Sequence, residues 1–473
     1  MKPTIAGFAT PRATIPLPPP VARTRRALTD DSGPTVSLSL TTILMGVLQL
    51  AFVVYFIMIL IPRLGERTFE INLTSVGMPL YMTFAAFVGM SLVNAAFVVF
   101  RHGCSDPSDA RKMLIIGFLG LATVMSAFSS EPARSAIYLI GTGALLLSLW
   151  LCWLVTLERR SFWFFDICAV VYGILLSNQF VSYGVSYGRY IGNLTPNHFC
   201  GCLLAAVVLA SFGAGRVRMM LLLGLSLPLV LATESRGGAT SLLLYFGIYG
   251  LSAMTWVALH RPQYLRHYLM LLSWCITAGL VAVAILMTIM PHVSDMVFAG
   301  VDDFYAMSDP NRGLGSGVSG RSDYWQQGLE ALTRRPATGI GFRMMTAARG
   351  SFDVGEGTSH NAFLDLFAEL GLFTPLLLIA AILLTIQQAW TLSIWAEDHR
   401  HAHFARVVFA ATCTLGVNGF FEIHLINLGF PQAVVFAQIL MFPLSSLEVP
   451  RRDALATEIV EGADPSAPDL ATS

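Results

Sequence analysis

The sequence predicts an all-α polytopic membrane protein of about twelve transmembrane helices, with a large structured loop between the ninth and the tenth. Composition is the first observation behind this prediction, because 55% of the 473 residues are hydrophobic and only 12% are charged. Soluble domains carry about 25% charged residues, so a soluble enzyme is excluded. The 29 basic and 29 acidic residues balance, so net charge does not indicate nucleic acid as a partner.

Apolar segments are the second observation, since a bilayer core of ~30 Å needs about 20 apolar residues in a helix. The predicted spans are 38–62, 76–100, 113–129, 136–157, 162–178, 196–213, 219–233, 238–258, 268–290, 362–390, 407–427 and 428–447. The flanking segments 1–37 and 448–473 are polar or proline-rich and are predicted to be disordered tails.

The distribution of Lys and Arg is the third observation, because these residues concentrate on the cytoplasmic side. With the N-terminus inside, the inner segments hold eighteen of them and the outer segments hold five, apart from the long loop. We therefore expect both termini in the cytoplasm of a multi-pass protein, with helices one to nine in 38–290 and helices ten to twelve in 362–447. The loop 291–361 is then periplasmic.

The long loop has a helical pattern of its own. Trp325, Leu329 and Leu332 recur at the spacing of one helix face. Arg334-Arg335-Pro336 predicts the end of that helix, and Gly339-Ile340-Gly341 predicts a turn. We expect an amphipathic helix that lies on the membrane face.

Arginines precede or begin several helices on the predicted outer side. Arg236 follows Ser235, a predicted helix cap, and precedes Gly237 and Gly238, which would leave backbone amides uncovered. A guanidinium beside free helix N-terminal amides is suited to phosphate. The alternative is an arginine that reaches to lipid headgroups.

Two further arginines repeat this arrangement. Arg321 lies where the loop helix begins, although it could instead be a solvated partner of Asp323. Arg189 precedes the sixth span, which Pro196 and Asn197 begin.

His360 is the predicted general base. With Ser359 as the helix cap, His360 and Asn361 would lie in the first turn of the tenth span, where the positive helix end lowers the pKa of an imidazole. The alternative is an interfacial histidine bonded to Asp365. The secondary candidates are Asn361, Asn197, and Glu422 and His424 near the outer end of the eleventh span.

Three arginines and one histidine on one face, without a predicted metal-ligand cluster, favour a diphosphate site, and no metal or cofactor is predicted there. The motifs in residues 189–375 resemble those of the O-antigen ligase and polymerase superfamily. They are Arg189 with Gly192, Pro196-Asn197, Ser235-Arg236-Gly237-Gly238, Gly320-Arg321 with Trp325, Pro336 with Gly339 and Gly341, Ser359-His360-Asn361, and Glu369-Leu370-Gly371.

The resemblance implies a metal-independent inverting glycosyltransferase of the bacterial inner membrane, similar to the GT-C class. Its donor would be a glycan on undecaprenyl diphosphate, presented at the periplasmic face. His360 would activate the acceptor hydroxyl, while Arg236, Arg321 and Arg189, with Gly237 and Gly238, would hold the diphosphate.

The acceptor is either lipid A-core, in a ligase, or a second lipid-linked glycan, in a polymerase. The loop 291–360 has six arginines and eight acidic residues, which favours the polymerase slightly because a phosphorylated core suits a basic surface. A transporter or flippase is the main alternative class, and a non-catalytic assembly component is another. Clustering of polar residues at one face instead of the midplane argues against a transporter.

Overall fold

The computed structural model is predominantly helical. It describes residues 40–65, 77–102, 109–159, 162–183, 185–186, 189–190, 193–213, 222–227, 229–230, 233, 235–267, 269–270, 273, 277, 281, 321–345, 359–421, 425 and 430–447. The helices are Leu40–Gly65 (α1), Gly77–His102 (α2), Ala110–Ser126 (α3), Pro132–Arg159 (α4), Trp163–Tyr183 (α5), Pro196–Phe212 (α6), Arg236–His260 (α7), Arg321–Arg334 (α8), Ala362–Leu370 (α9), Thr374–Trp395 (α10), His399–Gly419 (α11) and Pro431–Leu440 (α12). Val185–Ser186 (β1) and Arg189–Tyr190 (β2) form a short antiparallel ladder between α5 and α6.

Six helices in the described residues are long and apolar enough to cross a membrane. Their apolar stretches are Thr42–Ile61, Pro79–Phe97, Pro132–Leu154, Trp163–Tyr183, Gly237–His260 and Thr374–Trp395. This finding agrees with a polytopic membrane protein. The full number of twelve spans stays a prediction, because most of 268–290 and both predicted tails lie outside the described residues.

The shorter apolar helices α6 and α12 form the centre of the bundle. Every residue from Phe199 to Phe212 is buried in α6, and all ten residues of α12 are buried. A helix that is apolar around its whole circumference lies inside a bundle instead of at its edge. Helix α6 contacts α5, α7, α11 and α12, so it is surrounded by other helices of the bundle.

The predicted tenth span, 362–390, is not one helix. Helix α9 ends at Leu370, Gly371 has a φ of 72°, and α10 begins at Thr374. A Cβ at position 371 would lie 2.3 Å from the carbonyl oxygen of Ala337, so the close approach of the loop requires glycine there. The nine residues of α9 span about 14 Å, too little to cross a bilayer, and α10 is the membrane-crossing part.

The helix predicted in the long loop is present as α8, and it ends at Arg334. Its packed face differs from the predicted stripe, because Gly328 and Ala331 are buried whereas Leu329 is 52% exposed. A Cβ at Gly328 would lie 2.8 Å from Leu364 Cγ and 3.2 Å from Ser359 Cβ. The absence of a side chain at 328 therefore lets α8 lie directly against α9.

Candidate active site

The N-terminal ends of α6 and α7 are joined through their side chains. Ser235 caps α7 as predicted, since its Oγ accepts a hydrogen bond from the Gly238 amide at 3.1 Å. The same hydroxyl donates to Asn197 Oδ1 at 2.8 Å, in the first turn of α6. The backbone of Arg236, the first residue of α7, therefore lies beside the start of α6.

The two glycines after Arg236 have different environments. A Cβ at Gly238 would lie 2.4 Å from Cys200 Cβ on α6, so this glycine allows the two helices to pack closely. Its amide is already bonded to Ser235, which corrects the prediction that both glycine amides are uncovered. Gly237 is exposed, and a Cβ there would meet no atom within 4 Å.

His360 precedes the helix cap instead of following it. Asn361 is the cap of α9, and its Oδ1 accepts hydrogen bonds from the amides of Phe363 at 3.1 Å and Leu364 at 3.0 Å. The prediction that Ser359 is the cap is therefore wrong, and so is the placement of His360 in the first helical turn. The secondary candidate Asn361 has a structural role, because its side-chain oxygen is committed to these two amides.

The hydroxyl of Ser359 serves a different partner. Ser359 donates to Asp365 Oδ1 through its amide at 2.9 Å and through its hydroxyl at 2.6 Å. Its Oγ also accepts from the Asn361 amide at 3.2 Å. Asp365, which the sequence suggested as a partner of His360, therefore accepts hydrogen bonds from Ser359, the residue that precedes His360.

Tyr324 of the loop helix contacts His360. The ring centroids are 5.2 Å apart with an interplanar angle of 76°, an edge-to-face arrangement. Arg321 lies three residues earlier, at the start of α8. The contact therefore places the first turn of α8 next to the imidazole.

A glycine-containing loop after α8 holds the C-terminal end of α9. The amides of Ile340 and Gly341 donate to the carbonyls of Ala368 and Glu369 at 3.0 and 2.8 Å, and the Met345 amide donates to Glu369 Oε1 at 3.1 Å. Gly339 and Gly341 have φ values of 68° and 115°, which only glycine adopts at little cost. The predicted turn is confirmed, and it fixes α8 to α9.

Two buried carboxyl groups lie in α9, outside the membrane-crossing helices. Burial raises the pKa of Asp365 to about 6, against the opposing effect of its hydrogen bonds from Ser359 and of the nearby Arg343. Burial likewise raises the pKa of Glu369 to about 7, and Arg343 again opposes the shift. Arg343 itself has a φ of 61°, in the left-handed region that non-glycine residues seldom occupy.

The C-terminal end of α11 joins the two groups of helix ends. Phe420 packs on Phe363 of α9 with ring centroids 4.7 Å apart, and Asn418 Nδ2 donates to Ser241 Oγ of α7 at 3.0 Å. The N-terminal ends of α6, α7 and α9 thus lie around one end of α11, with the start of α8 beside His360.

Some predicted residues are only partly described. The side chains of Arg189, Arg236 and Arg321 lie outside the described part of the structure, as do Glu422 and His424 entirely. The backbone of Arg189 pairs with Ser186. Their roles remain predictions.

Sequence reasoning gave no individual role to Tyr324, Arg343 or Glu369, and it considered Asp365 only as an alternative partner of His360, whereas Asp365 accepts hydrogen bonds from Ser359. A signal was available for the two acids, because ionisable residues four positions apart in an apolar segment are candidates for function. Nothing in the spacing indicated that residues 339–345 would fold back onto them.

A small apolar cleft lies elsewhere in the bundle, among α3, α4, α10 and α12. Phe118, Leu145, Leu378 and Phe436 are among its lining residues. It contains none of the predicted site residues, so it does not mark the candidate active site.

Comparison with known proteins now bears on this geometry. Residues 221–380 match the model of the O-antigen ligase family. This stretch of the chain is therefore similar to the O-antigen ligase family. The matched stretch contains Arg236, Arg321 and His360, whereas Arg189 and Asn197 lie before it.

A curated relative extends the similarity. The chain is 27% identical over 241 residues to the exopolysaccharide production protein ExoQ of Rhizobium meliloti (strain 1021), over 48% of this chain and 50% of that protein. The chain thus spans about half the length of this relative. With its apolar helices, the chain is a multi-pass membrane protein similar to the ligases and polymerases of surface polysaccharides.

Proposed function

We propose that the protein is a metal-independent inverting glycosyltransferase of the bacterial inner membrane. It transfers or polymerises a glycan from an undecaprenyl-diphosphate donor at the periplasmic face. The observation that supports this proposal is that the ends of α6, α7 and α9 lie around one end of α11, with the start of α8 beside His360. Helix N-termini bind phosphate, and three of these ends carry or adjoin the predicted residues Arg236, Arg321 and Asn197.

The proposed reaction is a single displacement at the anomeric carbon of the donor. His360 removes the proton of the acceptor hydroxyl while that oxygen bonds to the anomeric carbon. The bond from that carbon to the diphosphate oxygen breaks, and the undecaprenyl diphosphate leaves with the bonding electrons. Arg236, Arg321 and Arg189, with the Gly237 amide, stabilise the charge that develops on the leaving group.

The acceptor remains open between lipid A-core and a second lipid-linked glycan. The printed name of the relative, an exopolysaccharide production protein, supports the polymerase. The excess of acidic residues in the loop 291–360 also supports it. We therefore favour chain extension over ligation to a lipid core.

A deletion strain tests the proposed function. A polymerase mutant accumulates lipid-linked single repeat units and lacks long polysaccharide, whereas a ligase mutant accumulates long lipid-linked glycan and unmodified lipid A-core. Mass spectrometry of the extracted lipids and gel analysis of the polysaccharide distinguish these outcomes. Unchanged profiles would exclude both activities, and lipid-linked glycan trapped on the cytoplasmic side would identify a flippase instead.

A further inference from the structure

The backbone around His360 is in an unusual conformation. His360 has a φ of 52°, which costs free energy for a residue with a side chain unless its surroundings hold it there. Strained residues of this kind concentrate where a side chain must be presented in one orientation. The question is which groups hold the turn formed by residues 359–361.

Hydrogen bonds fix the residues on both sides of His360. Ser359 is 1% exposed, and its amide and hydroxyl both bond to the carboxylate of Asp365. Asn361 is anchored by its own amide to Ser359 Oγ and by its side chain to the first turn of α9. His360 is the one residue between these two anchors, so its direction follows from theirs.

Asp365 is the acceptor that anchors Ser359 in this turn. It lies on α9, is 8% exposed, and accepts two hydrogen bonds at the same oxygen from one serine. Charged acceptors make stronger and shorter hydrogen bonds than neutral ones. Helix α8 also contacts this turn, because it approaches Ser359 through Gly328 and places Tyr324 against the imidazole.

We propose that Asp365 is a positioning residue for His360: through Ser359 it holds the turn 359–361 in the conformation that directs the imidazole to the acceptor hydroxyl. This inference rests on the proposed function, since it concerns the same base. Asp365 does not touch the substrate. Its effect is on the geometry of the step and not on binding of the donor.

Steady-state transfer by the purified, lipid-reconstituted protein tests the inference. Asp365→Asn keeps an oxygen that accepts from Ser359, so we expect a kcat within about threefold of wild type. Asp365→Leu has no acceptor, and Ser359→Ala lacks the hydroxyl. We expect each of them to lower kcat at least about tenfold, since small displacements of a catalytic group are costly, with the KM for the lipid-linked donor unchanged.

The double variant Ser359→Ala/Asp365→Leu separates positioning from general destabilisation. If Asp365 acts through Ser359, the double variant has the kcat of Asp365→Leu alone, because the two substitutions remove one interaction. Effects that multiply would overturn the inference. Glu369→Gln is the matched control, because Glu369 lies one turn further along α9 and bonds to Met345 instead of Ser359, and we expect its kcat to be normal.

Other outcomes are also decisive. A normal kcat in Ser359→Ala overturns the inference even if Asp365→Leu does not reach the membrane. His360→Ala is measured in parallel. If it is inactive while Asp365→Leu has wild-type kcat, only the positioning role fails; if it is active, the proposed base and the positioning role fail together.

Discussion

At the scale of single residues, the structure shows that neighbouring residues of one motif do different work. Ser235 caps α7 and bonds to Asn197, and Gly238 makes room for Cys200. Gly237 has no such neighbour. The motif therefore combines close packing of two helix ends with one glycine whose Cβ position faces open space.

These two glycines form a matched pair for a stability experiment. Gly238→Ala places a methyl group 2.4 Å from Cys200 Cβ, so we expect it to lower the free energy of unfolding by about 1–3 kcal/mol, as overpacking does. Gly237→Ala adds a methyl group in open space and favours the helix, so the thermal midpoint should stay the same or rise. Thermal unfolding in detergent, followed by intrinsic tryptophan fluorescence, measures both, and equal midpoints would contradict the close packing of α6 on α7.

At the scale of secondary-structure elements, the short helix α9 connects the loop to the bundle. Its N-terminal end carries the turn with His360, and its C-terminal end is bound by residues 339–345. Both of its carboxyl groups are buried. The helix that carries the turn with the proposed base thus buries two ionisable groups, of which Asp365 binds that turn and Glu369 binds Met345.

The buried carboxyl of Glu369 predicts a pH dependence of stability. Its pKa is raised from 4.5 to about 7 by burial, so the folded state binds this proton more tightly than the unfolded state. The free energy of unfolding therefore falls as the pH rises from about 4.5 to 7. Above that range Glu369 is ionised in the folded state as well, and the free energy of unfolding falls no further on its account.

Glu369→Gln removes this ionisation and keeps an oxygen for the Met345 amide. We expect it to stabilise the protein at pH ~8 by up to about 3 kcal/mol, and to have little effect at pH ~4.5. Thermal midpoints at the two pH values provide the measurement. A slope that is unchanged in Glu369→Gln would show that another group titrates.

At the scale of the whole molecule, the class of protein and the approximate bounds of several helices could be predicted from sequence. Hydropathy is a property of whole segments, which is why α1, α2, α4, α5 and α7 lie close to the predicted bounds. The caps and breaks depend on single contacts between distant residues. Asn361 replaces Ser359 as a cap because Asp365 engages the serine, and Gly371 divides a predicted span because Ala337 lies against it.

The same limit applies to the candidate site. His360, Arg236 and Arg321 were selected from their positions next to helix starts, and sequence was sufficient for that. The roles of Tyr324, Gly328 and Glu369 depend on how the loop folds onto α9. No local pattern indicates which residues 24 to 36 positions away these segments will contact.

The proposed use of arginines in place of a divalent cation predicts that glycan transfer does not depend on divalent metal ions. Transfer in reconstituted vesicles should continue at an unchanged rate, within about twofold, after treatment with EDTA, because guanidinium groups stabilise the leaving diphosphate. Rates before and after chelation, and after addition of Mg²⁺ or Mn²⁺, provide the measurement. Loss of activity that either ion restores would contradict this part of the proposal.

The most direct test of the account is the rate of glycan transfer by the purified protein when His360 is replaced. His401, a partly exposed histidine in the first turn of α11, provides the control His401→Ala. We predict that His360→Ala lowers kcat by about 10²–10⁴-fold while the protein stays folded and still binds the lipid-linked donor, and that His401→Ala has the wild-type rate. Wild-type transfer by His360→Ala would contradict the account.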